Sequence, residues 1–176
     1  MLSWEQHKIL VPPTDDEVAA MSPEDLIALW KTYHEAIANS RRDQYRYGWV
    51  LPHWKQADKM LADCRTLLLL GANRSGKTSY GAKAVVRAAM ENAGALIYCF
   101  SQNQENSVVV QQAAVYEYLP EELKKKATEE THYISFSMQN GFAGNSLVFP
   151  NKSRIMFKTY SQFARNQSIL EGMELG

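Results

Sequence analysis

Residues 66–79 read TLLLLGANRSGKTS, and they constrain the fold more than any other stretch of the chain. Four leucines, Leu67–Leu70, form a short apolar run. A loop opening on Gly71 follows at once, and Gly76-Lys77-Thr78 leads into an alanine- and valine-rich segment. The pattern is G-x-x-x-x-G-K-[ST], with a strand predicted before it and a helix after it. Such a loop wraps phosphates with backbone N–H groups. Gly71 and Gly76 can take conformations that a side chain would block. A helix starting near Lys77 aims its free N–H groups and positive dipole end at the same anion. Lys77 is then expected to reach the β- and γ-phosphates of a nucleoside triphosphate, and the Thr78 hydroxyl to ligate magnesium. The competing reading is a glycine turn that binds nothing.

The elements on either side complete a picture of an α/β domain. Helical spacing with Ala and Val predicts a helix over Lys77–Glu91, ended by Asn92-Ala93-Gly94. Ala95–Phe100 is a continuous apolar run, the pattern of a strand buried on both faces of a parallel sheet. Strand, loop, helix and strand make a right-handed βαβ unit. Ser101-Gln102-Asn103 then falls at the carboxyl end of the second strand, the ligand side of an open α/β sheet. A helix is predicted over 104–118, with Val109, Val110, Ala113, Val115 and Tyr118 available for packing. Glu121–Lys126 runs from acid to base, which suits a helix dipole. Residues 132–138 alternate like a strand. Ser146–Phe149 and Arg154–Tyr160 form a hairpin about the turn Pro150–Ser153.

Ahead of the loop, Ser22-Pro23-Glu24-Asp25 starts a helix predicted to run to about residue 39. Leu26, Leu29, Trp30, Tyr33 and Ile37 form its packing stripe. Residues 41–50 interleave arginines with aromatics, a composition that suits nucleic acid, but Asp43 and the shortness of the patch favour a connector. Pro52 opens another helix, carrying Gln56, whose side-chain amide matches the N6 and N7 edge of adenine. On its own, Gln56 reads as a surface residue. The divisions expected are a helical segment over 1–48 and a partial nucleotide-binding domain over 49–176.

Composition sets limits. With 176 residues, 45% of them hydrophobic, the chain has a core's worth of apolar side chains. A formal net charge of zero disfavours a protein that coats DNA, leaving any nucleic-acid contact to local patches. Cys64 and Cys99, with no Cys/His cluster, read as buried free thiols suited to a reducing compartment. No signal-peptide design and no run of membrane-spanning length is present, so a soluble, intracellular protein is expected. No aspartate occurs after Asp63, and none of Glu129, Glu130, Glu171 and Glu174 ends an apolar strand. The acids that usually hold magnesium and activate water in a triphosphatase are therefore missing.

The loop Gly71-Ala72-Asn73-Arg74-Ser75-Gly76-Lys77-Thr78, a Walker A pattern, resembles that of the large subunit of tailed-phage terminases, the motor that packages viral DNA. The likeness runs from about residue 49 to the end. It includes Pro52, Trp54 and Gln56, similar to that family's adenine motif, the strand Ile97–Ser101, and the stretch Ile155–Tyr160 with Leu170-Glu171-Gly172. The resemblance implies an α/β P-loop NTPase core, a parallel sheet with flanking helices, preceded by a helical N-terminal segment. In that family a Walker B strand comes next, so the sheet is expected to be truncated before it and the chain to be the amino-terminal part of the motor. ATP and Mg²⁺ are the implied cofactors. Gln56 and Gly71 through Ser79 are the implied nucleotide-binding residues, with Thr78 on the metal. Lys77 and Arg74 are the implied catalytic residues; Arg165 is a further arginine without a firm match. The implied partners are double-stranded DNA, the terminase small subunit and the portal, with possible self-association in the complete motor, in the host bacterial cytoplasm. A nucleotide-binding interaction protein that does not turn over ATP is the alternative. A small P-loop kinase fits less well, since no acceptor site or lid arginine cluster is visible.

Overall fold

The computed structural model describes residues 13–124 and 134–165. The chain divides into two compact units, Met1–Leu70 and Gly71–Gly176.

The first unit is helical. Thr14 caps α1 (Asp15–Ala20) by a reciprocal capping box with Glu17. The Thr14 backbone and hydroxyl hydrogen bonds hold the Glu17 carboxyl below its ordinary range. Ser22 caps α2 (Pro23–Arg42), with proline at the first position as the sequence predicts; the helix runs three residues past its expected end. Its apolar stripe divides. Leu26, Leu29 and Tyr33 are half-buried, whereas Trp30 and Ile37 are exposed. Trp30 lies against His34, ring centroids 3.9 Å apart.

Within residues 41–50, Tyr47 and Trp49 are exposed, not docked on a core, and Val50 is buried. Asp43 is buried, caps α3 (Gln44–Tyr47) through the Arg46 N–H, and pairs with the Arg46 guanidinium at 2.6 Å. Helix α4 (Pro52–Asp63) buries Trp54 and Ala57 and leaves Gln56 exposed.

Leu67–Leu70 is not a strand. Leu68 is 77% and Leu70 84% exposed. A four-residue apolar run becomes a buried strand only where ladders and covering layers exist for it. Among the described residues no ladder includes it. The expected βαβ unit therefore lacks its first strand.

The second unit is a mixed α/β fold with helices flanking a small sheet. Helix α5 (Lys77–Glu91) has the limits predicted. Strand β1 (Leu96–Ser101) pairs in parallel with β5 (Arg154–Thr159), from Leu96↔Arg154 to Ser101↔Thr159. Strand β4 (Ser146–Val148) pairs antiparallel with β5, as the hairpin reading requires, giving the order β1-β5-β4. The short strands β2 (Phe136–Ser137) and β3 (Gly141–Phe142) form a separate antiparallel pair. Strand β1 is half-buried along most of its length, not buried on both faces. The buried face of the sheet carries Ile155, Phe157 and Thr159 from β5 and Ser101 from β1.

The β4–β5 turn fixes the far end of α5. Ser153 Oγ donates to the Ala89 carbonyl at 2.7 Å, and Asn151 Nδ2 donates to Ala89 and Met90. These groups satisfy carbonyls that the end of a helix leaves unpaired. Val86 and Ala89, on the same helix, are fully buried.

The stretch predicted as one regular helix over 104–118 winds in three ways: α6 (Gln104–Asn106), a π-helical segment Ser107–Gln112, and α7 (Ala113–Glu117). The wider turn changes which side chains face inward. Val108 and Gln112 are buried, while Val109 and Val110, expected to pack, are 58% and 46% exposed. Gln112 holds the segment in place. Its Oε1 accepts from the buried Phe142 N–H at 2.8 Å, and its Nε2 donates to Ser107 and Asn145. The Glu121 segment is a single 3₁₀ turn, Glu121–Leu123, and Lys124 Nζ donates to the Glu117 carbonyl. Helix α8 (Tyr160–Arg165) follows β5. His132, Tyr133, Glu129, Glu130 and the Leu170-Glu171-Gly172 and Glu174 positions lie outside the described residues.

Replacing Gln112 with Leu keeps the volume but leaves the Phe142 N–H buried without an acceptor. Orphaning one buried donor costs about 1–3 kcal/mol. Urea denaturation of Gln112→Leu should show a loss in that range, and a loss below about 0.5 kcal/mol would contradict the pinning role.

Candidate functional site

The glycine loop is built as its sequence requires. Gly76 precedes α5 with φ 77°, a left-handed conformation that disfavours any side chain. Gly71 is a point of close approach: a Cβ there would lie 2.8 Å from Ser75 Oγ. Arg74, at φ 64°, is exposed at the loop's apex beside exposed Ala72 and Asn73. Lys77 turns back over the loop. Its ammonium donates to the Gly71 carbonyl at 2.6 Å, the Ala72 carbonyl at 2.7 Å and Ser75 Oγ at 3.2 Å.

The start of α5 has no side-chain cap, and the Tyr80 N–H donates to the Gly76 carbonyl at 2.8 Å. The N–H groups of the first turn, at Lys77, Thr78 and Ser79, thus lack intrahelical acceptors. The Lys77 ammonium, helix N–H groups without intrahelical acceptors and the positive end of a 15-residue helix all lie at the loop. That combination of charges attracts an anion of phosphate size.

Thr78 is exposed on the first turn of α5. Lys77 and Thr78 line one end of a cavity of about 730 Å³. Its walls are Ala82 and Val85 from α5, Cys99–Gln102 at the carboxyl end of β1, Val110 and Gln111 from the π segment, and Tyr160. Ser101 ends β1, and Gln102 and Asn103 follow it at the carboxyl end of the strand, where the sequence places them. Among the described residues no three His, Cys, Asp or Glu side chains gather into a group able to hold a metal ion. No helix among the described residues is long and apolar enough to cross a membrane.

Gly71 through Ser79 form one continuous loop and the first turn of α5. Gln56 belongs to the other compact unit, on the exposed side of α4. Arg165 ends α8. Two features escape sequence reasoning. Gln111, on the π-helical segment, lines the cavity, and the run Val108–Gln112 carries no Gly or Pro signal for that winding. Cys99, read as a buried thiol, lines the cavity, whereas Cys64 is exposed, contrary to expectation.

No family model matches the chain, and neither a curated protein nor a solved structure does.

Burial pushes the Cys99 thiol from an ordinary 9.0 up to about 11. The fold disfavours the thiolate, so this contribution to stability is complete below pH 9 and is lost as pH rises through about 11. Denaturation between pH 9 and 11 should show a steeper fall in stability for the parent chain than for Cys99→Ala. Equal slopes would contradict the burial of the thiol.

Proposed function

We propose that the loop Gly71–Thr78 binds ATP with magnesium, and that the chain is the ATP-binding part of a terminase-type DNA-packaging motor with a P-loop NTPase core. The observation that carries the reading is the Lys77 ammonium drawn over the loop to the Gly71 and Ala72 carbonyls at the uncapped start of α5. In this reading the N–H groups of Asn73 through Ser79 surround the β-phosphate. Lys77 bridges the β- and γ-phosphates, and Thr78 Oγ coordinates the metal. Arg74, free to swing at the apex, meets the γ-phosphate, and Gln56 reads the adenine edge. Double-stranded DNA, a small subunit and a portal would be partners of the complete motor, in the cytoplasm of the host bacterium.

Calorimetry tests both parts of the nucleotide site. Lys77→Ala removes the charge nearest the phosphates and should weaken ATP by about 2–4 kcal/mol. Gln56→Ala should weaken ATP more than GTP, by about 1–3 kcal/mol. Equal ATP affinity in the parent and Lys77→Ala would overturn the site, and equal losses for the two nucleotides would remove Gln56 from it.

A second reading, a nucleotide-binding interaction protein without turnover, is favoured by one observation: among the described residues no acidic side chain lines the cavity beside Lys77 and Thr78. Phosphoryl transfer needs an oriented water and charge stabilisation as well as a phosphate cradle. Loss of a general base alone removes about 10²–10⁴ in rate. Phosphate release by residues 1–176 should accordingly be undetectable or very slow. Rapid turnover abolished by Lys77→Ala would mean that an acid outside the described residues completes the site.

A further inference from the structure

Helix α2 carries two apolar stripes, one half-buried and one exposed. Leu26, Leu29, Tyr33 and Ala36 are half-buried, and Ser40, on the same side, is buried. The second stripe is Ile27, Trp30, His34 and Ile37. Its steps of three, four and three are those of a helix seam, with every member on one face. All four side chains are exposed, Ile27 by 56% and Trp30 by 62%. The Trp30 and His34 rings lie together and make the middle of the stripe one broad surface. Single exposed apolar side chains are ordinary, whereas aligned ones that include a tryptophan mark an association surface.

Spacing and charge select what covers it. A stripe stepped three, four, three reads the same in both directions. Against an antiparallel copy of itself, Ile27 meets Ile37 and Trp30 meets His34, and each contact occurs twice about a twofold axis. The helix begins with Glu24 and Asp25 and ends with Arg41 and Arg42. Asp25 is engaged by Ser22, and Arg42 lies over the Tyr47 ring, so Glu24 and Arg41 are the charges at the two ends of the stripe. Antiparallel pairing sets Glu24 of one copy beside Arg41 of the other at both ends, and parallel pairing would set like charges together. The helix dipoles also favour the antiparallel arrangement. Lys31 and its symmetry mate come near the axis, where their long stems let the ammonium groups diverge into water.

We propose that the exposed stripe of α2 is a self-association surface, on which a second copy of this chain docks its own α2 in antiparallel orientation. One stripe of this length is a small interface, so the pair forms reversibly at micromolar concentrations rather than as an obligate dimer. The contact uses neither the loop Gly71–Thr78 nor its ligand.

The test is sedimentation equilibrium of residues 1–176 over about 1–300 µM, the range in which a small interface is partly formed. Circular dichroism and thermal melting establish that each variant is folded. The parent should pass from monomer to dimer as concentration rises. Trp30→Ala should weaken the dimer at least about tenfold, as the loss of a central tryptophan does. Glu24→Arg and Arg41→Glu should each weaken it about threefold or more, since each replaces two attractive pairs with repulsive ones. The double variant Glu24→Arg/Arg41→Glu exchanges the charges and should recover the parent's affinity. These swaps, at exposed positions, carry the test alone if Trp30→Ala does not fold. A parent that stays monomeric throughout, or a dimer indifferent to Trp30→Ala, would overturn the proposal. Single swaps without effect would mark a parallel pair, and swaps that the double variant does not rescue would mark a different partner surface; either would overturn it as well.

Discussion

The second compact unit depends on the parallel pairing of β1 with β5. Six residue pairs, from Leu96↔Arg154 to Ser101↔Thr159, set both ends of the unit at once. At the amino ends of the strands, the turn preceding β5 puts Asn151 and Ser153 against the last carbonyls of α5. At the carboxyl ends, Ser101 and Gln102 line the same cavity as Lys77 and Thr78 of the first turn of α5. One helix is thus tied at its C-terminus by a polar turn and left open at its N-terminus, where its dipole and N–H groups remain available. A parallel sheet puts its ligand side at the carboxyl ends of its strands for the same reason: chains leave the strands there and helices begin there.

Local chemistry made much of this legible. Ser22-Pro23 starts a helix because serine accepts the free N–H groups and proline needs none. Lys77–Glu91 follows from alanine-rich propensity, and the β4–β5 hairpin from alternation about Pro150–Ser153. The loop is legible because its glycines answer a backbone requirement, which the left-handed Gly76 and the crowded Gly71 both meet.

What could not be read depends on tertiary partners. Leu67–Leu70 has the composition of a buried strand, but a strand is a relation between segments, and no ladder among the described residues includes it. The π segment is set by what Gln112 bonds to, Phe142 and Asn145, thirty or more residues away in sequence. Once that pin exists, the helix winds wider, Val109 and Val110 turn outward, and Gln111 turns to the cavity. Hydrophobic periodicity assumes a regular helix, so it misassigns both valines and passes over both glutamines.

The central claim is that charge converging on the loop Gly71–Thr78 exists to hold a triphosphate with its metal. Amide NMR of the ¹⁵N-labelled chain, titrated with magnesium and a slowly hydrolysed ATP analogue, addresses it residue by residue. The account predicts saturable shifts that are largest at the N–H groups of Asn73 through Ser79, with smaller ones at the end of β1. Shifts absent from the loop, or spread evenly over the surface without saturation, would contradict it.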